Sequence, residues 1–312
     1  MNIQTVIRTL TSFENRIGTV EEKVCESICK LLEKSTIPFS VQTFQSKTPK
    51  YTEVSLMADG ETIECLPCGL KSGEIINNYN LISSLTSSQS LIDTPNINFN
   101  PKSDAICLSN FYFAPAFAIS RRDIGRIMQA KDVRGVLKVE PKTYTARNIL
   151  IGNNKDPRTI IFAHYDAYFS GATDNASGVA VALNLITENR ELLDTTLVVL
   201  AGNEELSFDY PIYWGRCFRE FKRENSELLK NSSTILVIDS VGDGSPSVVK
   251  DPGLVKLAFP IGDVPEILEK TSVITGNFDG LMEVYHSSAD LPELLQPKYL
   301  KETVDLLKRL VK

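Results

Sequence analysis

Histidine is nearly absent from this chain. Two occur in 312 residues, His164 and His286, so any chemistry that needs an imidazole must be assembled from these two. Long apolar runs are missing as well. None approaches the ~18 residues that a bilayer span requires, and the opening MNIQTVIRTLTSFENR has no apolar stretch leading to a small-residue cleavage site. The expectation is a cytoplasmic chain with no membrane partner. An excess of positive charge is also lacking. With 33 Lys and Arg against 39 Asp and Glu, the net charge is -6, which argues against a nucleic-acid partner because phosphate contacts need clustered Lys and Arg. Cysteine is sparse, six in all, too few for a disulfide scaffold at this length, so reduced thiols are expected. What remains is a globular composition, 42% hydrophobic and 23% charged, and a length that allows one large core or a core plus an insertion.

Four of the thiols fall in pairs. Cys25 and Cys29 are one helical turn apart in an apolar-periodic segment, where packing explains them. Cys65-Leu-Pro-Cys68 has redox or metal spacing, but no second ligand pair follows. A redox pair would open a helix after a strand, and here Gly69 closes an alternating run, so loop packing is the reading.

Residues 3 to 35 carry apolar positions at helical spacing, broken at Arg16-Ile-Gly-Thr. Thr19 followed by Glu22 suggests a capping box for a second helix. FSVQTFQ alternates like a strand. Residues 47–145 change character: β-like runs such as TEVSLMA, TIECLPC and DAICLS are separated by Ser-, Asn- and Pro-rich stretches, including LTSSQSLIDTPNINFNPKSD. This reads as a small, mainly β insertion holding one helix, SRRDIGRIMQA, and the strand VRGVLKV. From Thr145 onward ARNILIG, TIIFAHYD, TLVVLAGNEE and STILVIDS alternate with helical patterns such as ASGVAVALNLITENREL, up to a closing amphipathic helix in PKYLKETVDLLKRLVK. Short, nearly all-apolar runs alternating with helices predict an α/β fold. Its central sheet is mixed and mostly parallel, with helices on both faces, and its two parts are 1–46 and 146–312 around the insertion at 47–145.

Three of the buried runs end in metal-ligand residue types: TIIFA in His164, LVVLAGN in Glu204-Glu205 and STILVI in Asp239. Ligands of open α/β sheets bind beyond the carboxyl ends of strands, so these side chains are expected at one edge. A loop could deliver His286 to the same edge, and nitrogen with carboxylate oxygen suits zinc.

In order, His164-Tyr-Asp166, Gly-Ala-Thr-Asp174-Asn-Ala-Ser-Gly, Glu204-Glu205, Asp239-Ser-Val-Gly and Tyr285-His286 resemble peptidase family M28, the co-catalytic zinc aminopeptidases. The resemblance covers about 145–312 well and SFENRIGTVEEKV more weakly, and the insertion stands where some members carry a lid or protease-associated domain. It implies a zinc-exopeptidase fold and two Zn2+ per chain. Asp174 would bridge the ions, with His164 and Asp239 on one and Glu205 and His286 on the other. It further implies Glu204 as general base, Asp166 as the group that orients His164, Tyr285 as an oxyanion donor, and a cis peptide at Asp174-Asn175. The Gly and Ser residues around Asp174 would let the backbone turn tightly, and Asn175-Ala-Ser177 would cap the following helix.

Taken alone, Asp166 also reads as a turn former and Tyr285 as a packing aromatic. Asp290 reads as a hydrogen-bonding partner of its loop, and Trp214 as packing beneath the site. The expected activity is removal of N-terminal residues from peptide substrates, with an oligomer compatible. The alternatives are a single-zinc acyltransferase resembling glutaminyl cyclases, a carboxypeptidase of the same fold, or a catalytically silent binding module. LSFDYPIYWGRCF after Glu205 departs from the Gly-Leu and Gly-Ser stretch common in the family, which bears on the specificity pocket rather than on the metal ligands.

Overall fold

The computed structural model describes residues 1–86 and 89–311; the Ser87-Ser88 part of the polar stretch and the final Lys312 lie outside the described residues. Helices α1 (Ile3–Thr11) and α2 (Thr19–Lys34) open the chain and turn Val6, Ile7 and Leu10, and Val24, Ile28 and Leu32, inward. The capping box does not form. Gly18, at φ 64, takes the cap position and Thr19 is already helical, while Glu22 accepts the main-chain N–H of Thr145. Glycine enters that left-handed conformation without a Cβ penalty, which is why the break falls there.

Strand β1 (Phe39–Ala58) is 20 residues long. It is followed by the short strands β2 (Glu61–Thr62), β3 (Cys65–Pro67), β4 (Gly73–Ile76), β5 (Asn80–Ser83), β6 (Asn96–Phe99) and β7 (Ala116–Ile119), helix α3 (Ile124–Gln129), and β8 (Val133–Gly152), again 20 residues. β1 and β8 pair antiparallel from Phe39 opposite Ile151 to Ala58 opposite Val133, with one irregularity between Tyr51 and Glu53. Residues 47–145 therefore leave and rejoin the main sheet along a continuous ladder. β3, β7, β6 and β5 form a second sheet over Ile97, Phe117 and Ile119. DAICLS, expected as a strand, contributes only one bridge, Cys107 opposite Ser287. Its neighbourhood is held by side chains instead, with Asn100 accepting from the Lys102 N–H and Ser103 from the Ala105 N–H.

The second half alternates as expected. β9 (Thr159–His164), α4 (Ser177–Glu188), β10 (Thr196–Ala201), α5 (Arg216–Asn231) and β11 (Thr234–Ile238) lead to β12 (Ser247–Val249). α6 (Pro252–Ala258), α7 (Pro265–Leu268), β13 (Thr271–Thr275), α8 (Phe278–Val284) and α9 (Pro297–Leu310) complete the chain. The main sheet runs β12-β13-β11-β9-β10-β8-β1-β2, with β4 added to β8. Its centre, β13, β11, β9 and β10, is parallel, and antiparallel strands flank it. Every residue of β9 and β10 is buried, because helices cover both faces. Residues of α1, α2, α4 and α9 pack on one face, and α5 and α7 on the other. There Phe162 meets Phe218, Phe221 and Phe259 at ring distances of 5.5, 5.1 and 5.0 Å. Among the described residues no helix is long and apolar enough to cross a membrane.

Candidate metal centre

β10, β9 and β11 are sheet neighbours running the same way, so their carboxyl ends share one edge. His164 ends β9, Glu204 and Glu205 follow β10, and Asp239 follows β11. The loop after β9 makes its sharp turn at Gly171, where φ is 49 and an added Cβ would lie 2.3 Å from that of Ala167. The Asp174-Asn175 peptide beyond it is cis. Asn175 caps α4 by accepting the Gly178 N–H at 3.1 Å, and its amide donates to the Ile238 carbonyl at 2.8 Å, which pins the turn to the end of β11. Ser177 caps nothing at this end; its hydroxyl donates back to Thr173. Asp290 accepts from the Thr173 and Asp174 N–H groups at 2.8 and 3.0 Å, the loop-holding role expected of it. Asp174 is thereby presented at the positive end of α4.

Its two carboxylate oxygens face opposite ways. Oδ1 lies 3.1 Å from His164 Nε2, which is also 3.7 Å from Asp239. Oδ2 lies 3.4 Å from His286 Nε2, which is 2.8 Å from Glu205. Two donor trios result, His164–Asp174–Asp239 and Asp174–Glu205–His286, each with ligand atoms within 4.8 Å of one another. Asp174 Oδ1, Glu205 Oε1 and His286 Nε2 are buried yet have no hydrogen-bond partner among the described residues. Unpartnered buried donors and acceptors are costly in an apolar interior, and a cation between them removes that cost. His164, Glu204 and Glu205 form a third trio within the same reach. Nitrogen and carboxylate oxygen at this spacing fit zinc.

The electrostatics point the same way. Burial opposes a charge on His164, but Asp166, Asp174 and Asp239 outweigh it and hold the ring well above its usual range. His286 behaves likewise: burial is overcome by Glu205 and Asp174. Burial pushes Glu205 up to about 7, the two imidazoles pulling against Asp174. For Asp174 burial acts upward, yet the attraction of the two nearby histidines leaves it below the usual carboxylate range. A pocket with this surplus of negative charge attracts protons, and a divalent cation can take their place.

Other groups surround these candidate ligands. The main-chain oxygen of Asp166, rather than its carboxylate, faces His164 Nδ1 at 3.1 Å; the carboxylate approaches only to 3.6 Å and instead accepts the Glu205 N–H at 2.9 Å. Glu204 is half-buried and lines the cavity, while Glu205 is buried. Burial holds the Glu204 carboxyl well above its ordinary value, with His164 lowering it and Glu205 adding to the rise. Tyr285 lines the cavity and stacks on His286 at 3.8 Å; burial, reinforced by nearby carboxylates, raises its phenol, so it stays a hydrogen-bond donor.

Trp214 does not lie beneath the centre. It forms part of the cavity wall and donates to the Leu257 carbonyl at 2.9 Å. Cys65 and Cys68 are free thiols that join none of these trios, pushed up to about 11 and about 12 chiefly by burial, and Cys25 and Cys29 are free on α2.

Sequence reasoning passed over Arg16, read only as part of a helix break. It is fully buried beneath the site loop and donates to the carbonyls of Tyr165 at 2.8 Å, Gly171 at 2.9 Å and Ser170. Nor did it single out Leu108, whose carbonyl faces His286 Nδ1 at 3.0 Å. A charged residue at a turn between two apolar helices was the available signal for Arg16; a main-chain contact leaves none for Leu108. The cavity holds about 300 Å³. Its walls come from two stretches of the chain: Ile92, Leu108 and Phe111 lie within residues 47–145, and Tyr213, Trp214 and Leu257 beyond them.

Among solved structures, an aminopeptidase from Aneurinibacillus sp. is similar at 17% identity and a TM-score of 0.68, over 98% of this chain and 91% of its own. A zinc aminopeptidase from Bacillus subtilis is 16% identical with a TM-score of 0.68, over 98% and 93%. A glutaminyl cyclase from Porphyromonas gingivalis is 13% identical with a TM-score of 0.55, over 99% and 96%. These likenesses carry the fold. No curated protein matches the sequence. The model of peptidase family M28 matches residues 148–249, the stretch from β8 to β12 that supplies His164, Asp174, Glu204, Glu205 and Asp239. Residues 148–249 thus carry the signature of peptidase family M28, set in a fold shared with zinc aminopeptidases along nearly the whole chain.

Proposed function

We propose that this chain is an aminopeptidase that holds two zinc ions and hydrolyses N-terminal residues from peptides. The observation that carries the reading is the division of Asp174: one oxygen faces the His164 and Asp239 side, the other the His286 and Glu205 side. A single-metal cyclase would use one of these trios and leave the other without a task.

His164, Asp174 and Asp239 would hold one ion, and Asp174, Glu205 and His286 the other. When bound, zinc supplies a Lewis acid that acidifies water and polarises a carbonyl. Glu204, on the cavity side of Glu205, accepts a proton from the attacking water and returns it to the leaving amine. The Tyr285 phenol donates to the developing oxyanion. Asp166 holds Glu205 through its N–H and His164 through Nδ1, so one residue orients a ligand of each trio. The inserted walls of the cavity restrict it to short or unfolded chains.

The test is metal content per chain by elemental analysis, paired with hydrolysis of aminoacyl reporter amides before and after chelation. Two zinc per chain and chelator-sensitive release from unblocked substrates are the expected outcome. One metal, or activity confined to blocked or cyclising substrates, would replace this reading with the acyltransferase or carboxypeptidase.

A further inference from the structure

We infer that the inserted segment around Asn100–Leu108 is a working part of the metal centre: it fixes which nitrogen of His286 is free to bind metal and holds that ring against Asp174 and Glu205. The inference rests on reading the site as a metal centre.

His286 follows α8 and sits at φ 49, a left-handed backbone that a side-chain-bearing residue adopts only when its surroundings impose it. The imposing contacts come from the insertion. The Leu108 N–H donates to the His286 carbonyl at 2.9 Å, and His286 Nδ1 lies 3.0 Å from the Leu108 carbonyl. A carbonyl can only accept, so Nδ1 carries a proton and Nε2, which faces Asp174 and Glu205, is the nitrogen left for a metal to take. One residue upstream, Cys107 bridges Ser287.

Asn100 ties the same loop from its other side. It is fully buried, and its amide donates to the Met282 carbonyl of α8 at 2.8 Å while its oxygen accepts the Lys102 N–H at 2.9 Å. The insertion also backs the ring. Phe111 stacks on Tyr168 at 5.4 Å, and Tyr168 faces His286 at 5.1 Å. His164 has no such dependence: its Nδ1 is met by Asp166 in the loop after β9. The two halves of the centre thus differ. The His164 side is complete within the main sheet, and the His286 side requires the insertion in place. Asn100 is a positioning residue for that side alone.

The test uses the full chain, stripped of metal, with Asn100→Ala and the isosteric Asn100→Asp, whose carboxylate meets the Met282 carbonyl with an acceptor instead of a donor. Zinc is titrated against a chromophoric chelator, and the imidazole nitrogens are followed by long-range ¹H–¹⁵N NMR, in which only two histidines appear. The expected result is that one zinc equivalent weakens about 10- to 100-fold while the other keeps its affinity. The Nδ1-protonated signature of His286 should be lost or averaged, and that of His164 should stay. Unchanged affinities with an unchanged His286 spectrum in a folded variant would overturn the inference, as would equal weakening of both equivalents. If the wild-type chain binds no zinc, the metal-centre reading fails by itself, and the histidine spectra still decide whether Asn100 sets the His286 tautomer.

Discussion

The Asp166 carboxylate accepts the main-chain N–H of Glu205 at 2.9 Å while the Asp166 carbonyl receives His164 Nδ1 at 3.1 Å. One residue therefore reaches a donor of each trio: His164 at the end of β9, and Glu205 in the segment after β10. The carboxylate is fully buried, and its second oxygen has no hydrogen-bond partner among the described residues, although it lies 3.6 Å from His164 Nδ1.

Asp166→Asn keeps an acceptor for the Glu205 N–H, whereas Asp166→Ala leaves that N–H buried and unmatched. Zinc affinity of the alanine variant should fall about 10- to 100-fold, with the asparagine variant in between. Titration of the metal-free protein reads this directly, and wild-type affinity in the alanine variant would remove Asp166 from the centre.

Glu204→Gln is a change of charge without a change of shape at a half-buried position on the cavity wall. Both zinc equivalents should remain and kcat should drop by about 10² to 10⁴, the usual contribution of a positioned base. Loss of metal together with activity would instead make Glu204 a ligand, in keeping with the trio it can form with His164 and Glu205.

The legible parts of this molecule are those where local pattern and tertiary role coincide. TIIFAH and TLVVLA could be read as buried strands because nothing polar interrupts them, and the ligand types at their ends follow from the parallel arrangement. Thr19 misled because a capping box is a local preference, while Gly18 and the contact from Glu22 to Thr145 were decided by β8 packing alongside. DAICLS alternates like a strand, yet its backbone is taken by the Ser103 side chain at Ala105 and by the His286 carbonyl at Leu108, a competition that pattern alone does not weigh. The length of β1 and β8 was hidden because their outer halves run out of the central sheet into the insertion, where composition changes but the ladder continues.

Arg16 offers a test of stability separate from chemistry. Its guanidinium is pushed down to about 10 by burial, with the carboxylates Asp166 and Asp290 opposing, so it remains charged at neutral pH while serving several carbonyls at once. Arg16→Lys keeps the charge but cannot span those acceptors with a single ammonium. Unfolding in urea should show a loss on the order of 3 kcal/mol, from carbonyls left unmatched in the interior. A midpoint equal to wild type would mean that water replaces the guanidinium at no cost.

The cavity predicts which N-terminal residue is preferred. Among the described residues its lining contains no Lys or Arg, and its carboxylates, Asp174, Glu204, Glu205 and Asp239, all belong to the candidate centre. Ile92, Leu108, Phe111, Trp214 and Leu257 enclose the remaining space, so a charged side chain would lose its water there without gaining a partner. An apolar side chain would exchange water for carbon contacts. Leucyl and phenylalanyl reporter amides should exceed the alanyl one in kcat/KM by about 10- to 200-fold, the range that a few methylenes supply in such a pocket, and lysyl and aspartyl amides should be the poorest. A panel of these amides measured at equal zinc occupancy decides it; preference for the lysyl or aspartyl substrate would show that the side chain docks outside this cavity.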